Sequence, residues 1–282
     1  MKAALPPASS GWFEACDGVG LYWRVWVPAG MPLAVVVVHH GICEHGERYA
    51  DAVRLLVHAG YVVYAHDARG HGRSEGRRST FDRFEQLPID LESFLTQVVY
   101  PSHEVPTFLL GYSLGGAVAV AHAISHQDAL AGAVVIGSAL GRGADFSRIQ
   151  TGLAAILSAV VPRCPLIRMR PETMTTDTDV VGSYEADPLI YHGRLDARFV
   201  GEMAKAMRCL PTQFQRLRLP LLLIHGADDV TANPEGSRGL HEGASSTDNT
   251  FVVYPGRRHD VLHEPGHEQV MADVVAWLRV RS

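Results

Sequence analysis

Apolar positions along the chain fall into short runs separated by longer stretches of helical spacing. Gly20 to Val27 (GLYWRVWV) alternates and is rich in aromatic and β-branched residues, the pattern of a strand. Asp17-Gly18 before it is a turn signal that pairs it with Gly11 to Cys16 as a hairpin. Leu33 to Val38 is apolar without interruption, as expected of a strand buried on both faces. Tyr61 to Ala65, Phe108 to Leu110, Ala133 to Ile136, Leu219 to Ile224 and Thr250 to Tyr254 read the same way. Between them, Glu47 to His58, Phe84 to Val99, Leu114 to Ser125, Pro234 to Glu242 and His267 to Arg279 carry helical spacing. Strands alternating with helices predict βαβ units and an α/β fold with a doubly wound, mostly parallel sheet.

One interval breaks the alternation. From Ala139 to Pro211 no convincing buried strand is visible. This predicts a helical cap, residues 139–211, inserted into a core formed by residues 1–138 and 212–282. The cap is expected over the carboxyl edge of the sheet, where open α/β sheets bind ligands. Within it, Phe146 to Val161 repeats apolar residues at Phe146, Ile149, Leu153, Ile156, Leu157, Val160 and Val161. That stripe is expected to face the core. The opposite face (Ser147, Arg148, Gln150, Thr151, Ala154, Ala155, Ser158, Ala159) is small and carries one charge. It reads either as the back of a plain packing helix or as a rim that touches lipid.

Composition narrows the class. A chain of 282 residues and 30.7 kDa fits one core with an insertion. Lys and Arg number 25 against 30 Asp and Glu, so no basic excess exists to neutralise a nucleic acid. No apolar run approaches the roughly 18–20 residues of a membrane-spanning helix. Met1 to Gly11 lacks the apolar stretch of a signal peptide. Four scattered cysteines, Cys16, Cys43, Cys164 and Cys209, predict free thiols in a reducing compartment. The expected location is cytoplasmic, at most peripheral at membranes.

The chemistry gathers at the ends of predicted strands. Gly111-Tyr112-Ser113-Leu114-Gly115-Gly116 matches G-x-S-x-G between a strand and a helix. That tight turn exposes the Ser113 Oγ and aims the Leu114 N–H, at a helix N-terminus, toward a developing oxyanion. His39-His40-Gly41-Ile42 follows the strand Leu33 to Val38 and can present the Ile42 N–H as a second donor. Metal binding at His39, His40, Glu44 and His45 is the rival reading, but H-x-x-x-E-H is not a zinc-helix spacing and Gly41 and Gly46 oppose the helix. No metal or cofactor is expected. An acid must follow the nucleophile, and Asp228 and Asp229, after His225-Gly226, compete for that place. The base must come later still, and His259 follows the turn Pro255-Gly256. His263 and His267 continue its spacing, but Pro265-Gly266 breaks any helix that would align them. The remaining histidines, His58, His122, His126 and His241, read as solvated helix residues. Cys43, just past the oxyanion turn, reads either as a thiol whose modification would crowd the site or as an inert buried one.

Taken together, these segments resemble the monoacylglycerol lipase family of serine hydrolases, especially its bacterial members. The resemblance is carried by His40 to His45 with Arg48-Tyr49, by His66 to Gly76 (HDARGHGRSEG), by Gly111 to Gly116, by Asp187 to Gly193 (DPLIYHG), by His225 to Asp229 and by Tyr254 to His259. It implies an α/β-hydrolase fold and a triad of Ser113, Asp229 and His259, with Asp229 chosen because the family's acid lies three residues after the glycine. It implies oxyanion donors at Ile42 and Leu114. It further implies substrate contacts at Glu44 and Arg48, which alternatively read as a charged helix start, and at Tyr191 and His192. Tyr112 and Leu114 stand where the family usually has His and Met, and Ile42 replaces a smaller residue. These departures alter pocket shape, not mechanism, because the donors are backbone N–H groups.

The activity so implied is hydrolysis of a monoacylglycerol to glycerol and fatty acid through an acyl-serine. The partner is then a small lipid ester, with transient membrane or micelle contact through the cap. A broad carboxylesterase or lysophospholipase uses the same machinery and is the nearest rival. A non-catalytic receptor on this fold is the rival from another class, and the intact serine, acid and base speak against it.

Overall fold

Five uninterrupted apolar strands form the centre of the molecule. In the computed structural model, which describes residues 5–141, 154 and 156–282, every residue of Val35–His39 (β3), Val62–His66 (β4), Thr107–Tyr112 (β5), Gly132–Ile136 (β6) and Leu221–Gly226 (β9) is buried. Burial on both faces is what their continuous apolar runs require. Ser9–Glu14 (β1), Gly20–Trp26 (β2) and Asn249–Tyr254 (β10) complete an eight-stranded sheet of order β1-β2-β4-β3-β5-β6-β9-β10. β2 runs antiparallel to both β1 and β4, and the other pairs are parallel.

Alternate residues feed two apolar layers. Val35 and Val37 pack on one face with Leu91, Val118 and Leu240, while Val36 and Val38 pack on the other with Val53, Val270 and Leu278. The first layer is covered by Gln86–Phe94 (α2), Leu114–His126 (α3) and Glu235–Gly243 (α6); the second by Ala50–His58 (α1) and His267–Arg279 (α7). This is the predicted doubly wound α/β fold. From β3 the chain steps to β4 on one side and then crosses to β5 on the other. The crevice between β3 and β5 is therefore the topological switch point, where such sheets bind ligands.

Between β6 and β9 lie Pro165–Arg168 (β7) and Arg194–Asp196 (β8), paired antiparallel, with Thr178–Ala186 (α4) and Ala197–Cys209 (α5). Asp177 and Asp196 cap the two helices by accepting from Asp179 and Val180 N–H and from Phe199 N–H. Of these elements only α5 is legible in the sequence, where Ala197 to Cys209 carries helical spacing. β7 and β8 are short and interrupted by Pro165, Arg168 and Arg194, and α4 buries a single residue, Tyr184.

The expected helix Phe146 to Val161 lies partly outside the described residues, which include only 154 and 156–161 of it. Positions 154 and 156–160 are helical, but the face is the reverse of the expected one. Ala154 and Ser158 are buried, whereas Ile156 is 64% and Val160 75% exposed. The reason is steric. Gly201 of α5 leaves room for a close approach, and a Cβ there would stand 2.9 Å from Ser158 Cβ. Small residues fill that contact and the large ones are left outside.

A buried ion pair ties the outer strands to the loops of the switch point. Arg24 on β2 donates to both oxygens of Asp67, at 2.8 and 3.3 Å. Asp67 also accepts from the N–H groups of Gly46 and Arg73. Burial works against the Asp67 charge, but the Arg24 hydrogen bonds and charge outweigh it and hold the carboxyl at about 2. A depressed carboxyl contributes stability that is present above its unfolded value, about 4, and lost as the pH falls toward 2. Arg24→Met keeps the bulk but leaves Asp67 buried without its cation. Urea unfolding at neutral pH should show a loss of about 3–5 kcal/mol, and a loss under about 1 kcal/mol would remove this pair from the scaffold.

Candidate active site

The turn from β5 to α3 decides where Ser113 sits. Ser113 has φ 53° and ψ −113°, a left-handed conformation that a non-glycine residue adopts only when its surroundings enforce it. The flanking glycines make the turn sterically possible. A Cβ on Gly111 would stand 2.3 Å from the Gly115 oxygen, and one on Gly115 would stand 2.0 Å from the His39 oxygen. The second contact joins α3 directly to the end of β3, so the G-x-S-x-G spacing is a packing requirement of this crevice.

Three strand ends converge on that serine. His259, after β10, places Nε2 2.9 Å from Ser113 Oγ and Nδ1 2.6 Å from Asp229 Oδ2. Asp229, after β9, accepts from the N–H groups of Thr231 and Ala232 through Oδ1. All three side chains are buried, while Asp228 is exposed. The choice between the two aspartates thus follows from the backbone after Gly226. Burial opposes charge on both partners, but mutual attraction and hydrogen bonding prevail. The Asp229 carboxyl is held well below its usual range and the His259 imidazole is raised. An ionised Asp229 accepts a hydrogen bond from Nδ1–H, which leaves Nε2 to accept one from the Ser113 hydroxyl.

His225 is the residue that sequence reasoning missed. Its Nε2 lies 2.9 Å from Asp229 Oδ2 and 3.0 Å from the Ala232 oxygen, and its Nδ1 lies 2.8 Å from Ser237 Oγ. Nε2–H therefore donates to Asp229 and Ala232, and Nδ1 accepts from Ser237. The only sequence signal was its place in the strand-end motif, four residues before Asp229.

Ile42 and Leu114 line a cavity of about 30 Å³ at Ser113, together with Met169, Phe199, Met203 and Met207. Among the described residues, neither the Ile42 nor the Leu114 N–H has an acceptor. The turn carrying Ile42 is braced from two sides. His40 Nε2 accepts from Ala68 N–H while its Nδ1 donates to the Gly41 oxygen. Glu44 Oε1 accepts from Gly41 N–H at 2.7 Å and from the Tyr49 hydroxyl.

The other expected contacts are not brought to this cavity. Glu44 is buried and pairs at 3.0 Å with Arg48, whose side chain is largely covered and also meets Asp260 and lies over the Tyr184 ring. Tyr191 and His192 line a separate cavity of about 960 Å³, which shares Met169 with the one at Ser113. Cys43 is 1% exposed, and burial pushes its thiol up to about 12, so its inert reading holds.

A buried hydroxyl facing an imidazole that a carboxylate holds, beside two N–H groups without an acceptor among the described residues, is equipped for acyl transfer. The comparisons agree. The model of the family described as "Serine aminopeptidase, S33" matches residues 30–266. A monoacylglycerol lipase of Mycolicibacterium smegmatis is 33% identical over 94% of this chain and 95% of its own. The human monoglyceride lipase is 32% identical over 94% of this chain and 89% of its own. The crystal structure of Paleococcus ferrophilus monoacylglycerol lipase superposes with a TM-score of 0.84 at 29% identity, covering 93% of this chain and 99% of that one. With fold, family model and full-length relatives in agreement, the chain belongs to the monoacylglycerol lipase family of α/β-hydrolase serine hydrolases.

Proposed function

We propose that this protein hydrolyses monoacylglycerols to glycerol and a free fatty acid. The observation that carries the reading is the continuous Ser113–His259–Asp229 hydrogen-bonded relay opening on an apolar cavity. Ser113 Oγ attacks the ester carbonyl while His259 Nε2 takes its proton. Asp229 orients the ring and stabilises the imidazolium. The carbonyl oxygen becomes an oxyanion facing the Ile42 and Leu114 N–H groups. Collapse expels glycerol, to which His259 returns the proton, and leaves acyl-Ser113. Water activated by His259 then releases the fatty acid. His225 positions Asp229. Residues 139–211 act as the cap, whose Met169, Phe199, Met203 and Met207 provide a deformable acyl wall. Among the described residues, the lining of that cavity holds no carboxylate for an α-amino terminus, which favours an ester over the aminopeptidase substrate that the family description suggests. Four unpaired cysteines support a reducing, cytoplasmic location. No helix among the described residues is long and apolar enough to cross a membrane.

Hydrolysis of matched monoacyl-, diacyl- and triacylglycerols, a lysophospholipid, a simple alkyl ester and an aminoacyl anilide tests the assignment. The monoacylglycerol should have the highest kcat/KM and the anilide should be untouched. A preference for the lysophospholipid or the alkyl ester would replace glycerol as leaving group.

The two aspartates should separate kinetically. Asp229→Asn should lower kcat by about 10³–10⁴, and Asp228→Asn should cost little. The reaction needs neutral His259, whose ionisation is raised, so the rate should fall as the pH drops through a value above about 6.5. In Asp229→Asn the residual activity should lose that acid limb to lower pH. Equal losses in the two variants, or an unmoved limb, would assign the acid elsewhere.

Ile156, Val160 and Val161 form an exposed apolar patch on the cap. Its role is to touch the aggregate that supplies substrate. Ile156→Glu with Val160→Glu should slow cleavage of long-chain monoacylglycerol in micelles severalfold and spare a water-soluble short-chain ester. Equal losses on both would indicate damaged packing, and no loss on either would take the patch out of the substrate path.

A further inference from the structure

A second cluster of ionisable groups lies at the other end of the helix that carries Ser113. Glu92 of α2 and His122 and His126 of α3 each offer one ligand atom, and these atoms lie within 4.8 Å of one another. His122 is about 14 Å and His126 about 20 Å along α3 from Ser113, so the cluster is outside the acyl-transfer site. The sequence pattern predicts both histidines to be solvated helix residues. The structure instead buries His122, with Nε2 2.7 Å from Glu92 Oε2. The two imidazoles stack at 4.8 Å, as the i, i+4 spacing on one helix face allows. His122 Nδ1 has no partner among the described residues. The ring's tautomer is therefore not locked by a second hydrogen bond.

The cluster opens on a cavity of about 440 Å³ whose wall includes Lys205 and Cys209 and is otherwise mainly apolar. None of the residues lining that cavity lines the one at Ser113. We propose that Glu92, His122 and His126 bind one divalent transition-metal ion of the zinc type, with a fourth position facing this cavity. Two imidazoles and a carboxylate form a donor set that suits Zn²⁺ or Co²⁺ and disfavours Mg²⁺ and Ca²⁺, which want more oxygens.

Ligation is a small adjustment. Zinc holds such atoms at about 2.0–2.2 Å, which places ligand atoms about 3.4 Å apart in a tetrahedron. The Glu92–His122 contact would open slightly and His126 would close. As the ion takes the Nε2 lone pair, the His122 proton moves to Nδ1, so the neutral ring needs no net proton loss. Because the ligands come from two helices, the ion clips α2 to α3 and binds the folded state alone.

The test is a titration of chelator-treated protein with Co²⁺, followed by its visible ligand-field bands, with Zn²⁺ as competitor. Wild type should bind one equivalent with a tetrahedral-type spectrum that Zn²⁺ displaces. Saturating Zn²⁺ should raise the melting temperature by about 5 °C. His126→Ala and Glu92→Gln should each weaken Co²⁺ binding at least about tenfold and abolish the thermal shift. His126 is exposed, so metal-free His126→Ala should melt with the wild type, and its lost affinity then reports ligation rather than unfolding. Wild-type affinity in both variants, a thiolate charge-transfer spectrum that survives His126→Ala, or no ligand-field band in the wild type would each overturn the site.

Discussion

The working parts of this protein depend on one steric constraint, the close approach of Gly115 to the carbonyl of His39. Only a residue without Cβ lets the start of α3 rest on the end of β3. That contact holds Ser113 at positive φ, a conformation costing about 1–3 kcal/mol that the neighbouring strands must offset. It also sets the N–H of Leu114 beside the turn that carries the N–H of Ile42. The proposed nucleophile and the proposed oxyanion donors are thereby brought together by the packing of two adjacent strands, before any substrate arrives.

Around that contact the chain invests its buried polar groups in loop geometry. Asp67 serves Arg24, Gly46 and Arg73, and Glu44 serves Gly41, Tyr49 and Arg48. His40 links the Ile42 turn to Ala68. Each of these groups has its partners, which is the condition for a buried polar network to rigidify a site. Asp229 is the extreme case, with two backbone donors and two imidazoles on one carboxylate. Preorganised donors of this kind need no rearrangement as charge develops on the reacting oxygen.

Much of this was legible in the sequence, for identifiable reasons. β3, β4, β5, β6 and β9 are uninterrupted apolar runs, and burial on both faces permits little else. Ser113 and His259 could be placed because glycine turns mark the strand ends before them. Asp229 could not be separated from Asp228 by residue type, since a one-residue difference in the Gly226 turn decides it; the family resemblance supplied the choice. His225 was hidden because a histidine closing a strand reads as an ordinary turn residue. At positions 154 and 156–160 the buried face is the reverse of the one the pattern predicts, because hydrophobicity ranks Ile156 and Val160 as interior while the space left by Gly201 selects Ala154 and Ser158. β7 and α4 carry little pattern because little of their surface is buried, and β8 because three residues with two charges among them are too short a run to show one.

The central claim is that turnover passes through an acyl ester on Ser113. Acid-quenched mass spectrometry during hydrolysis of a long-chain monoacylglycerol measures this directly. The account predicts a transient mass increase equal to the acyl group, mapped to the peptide containing Ser113 and absent in Ser113→Ala together with turnover. An acyl group mapped to another residue, or undiminished turnover in Ser113→Ala, would contradict it.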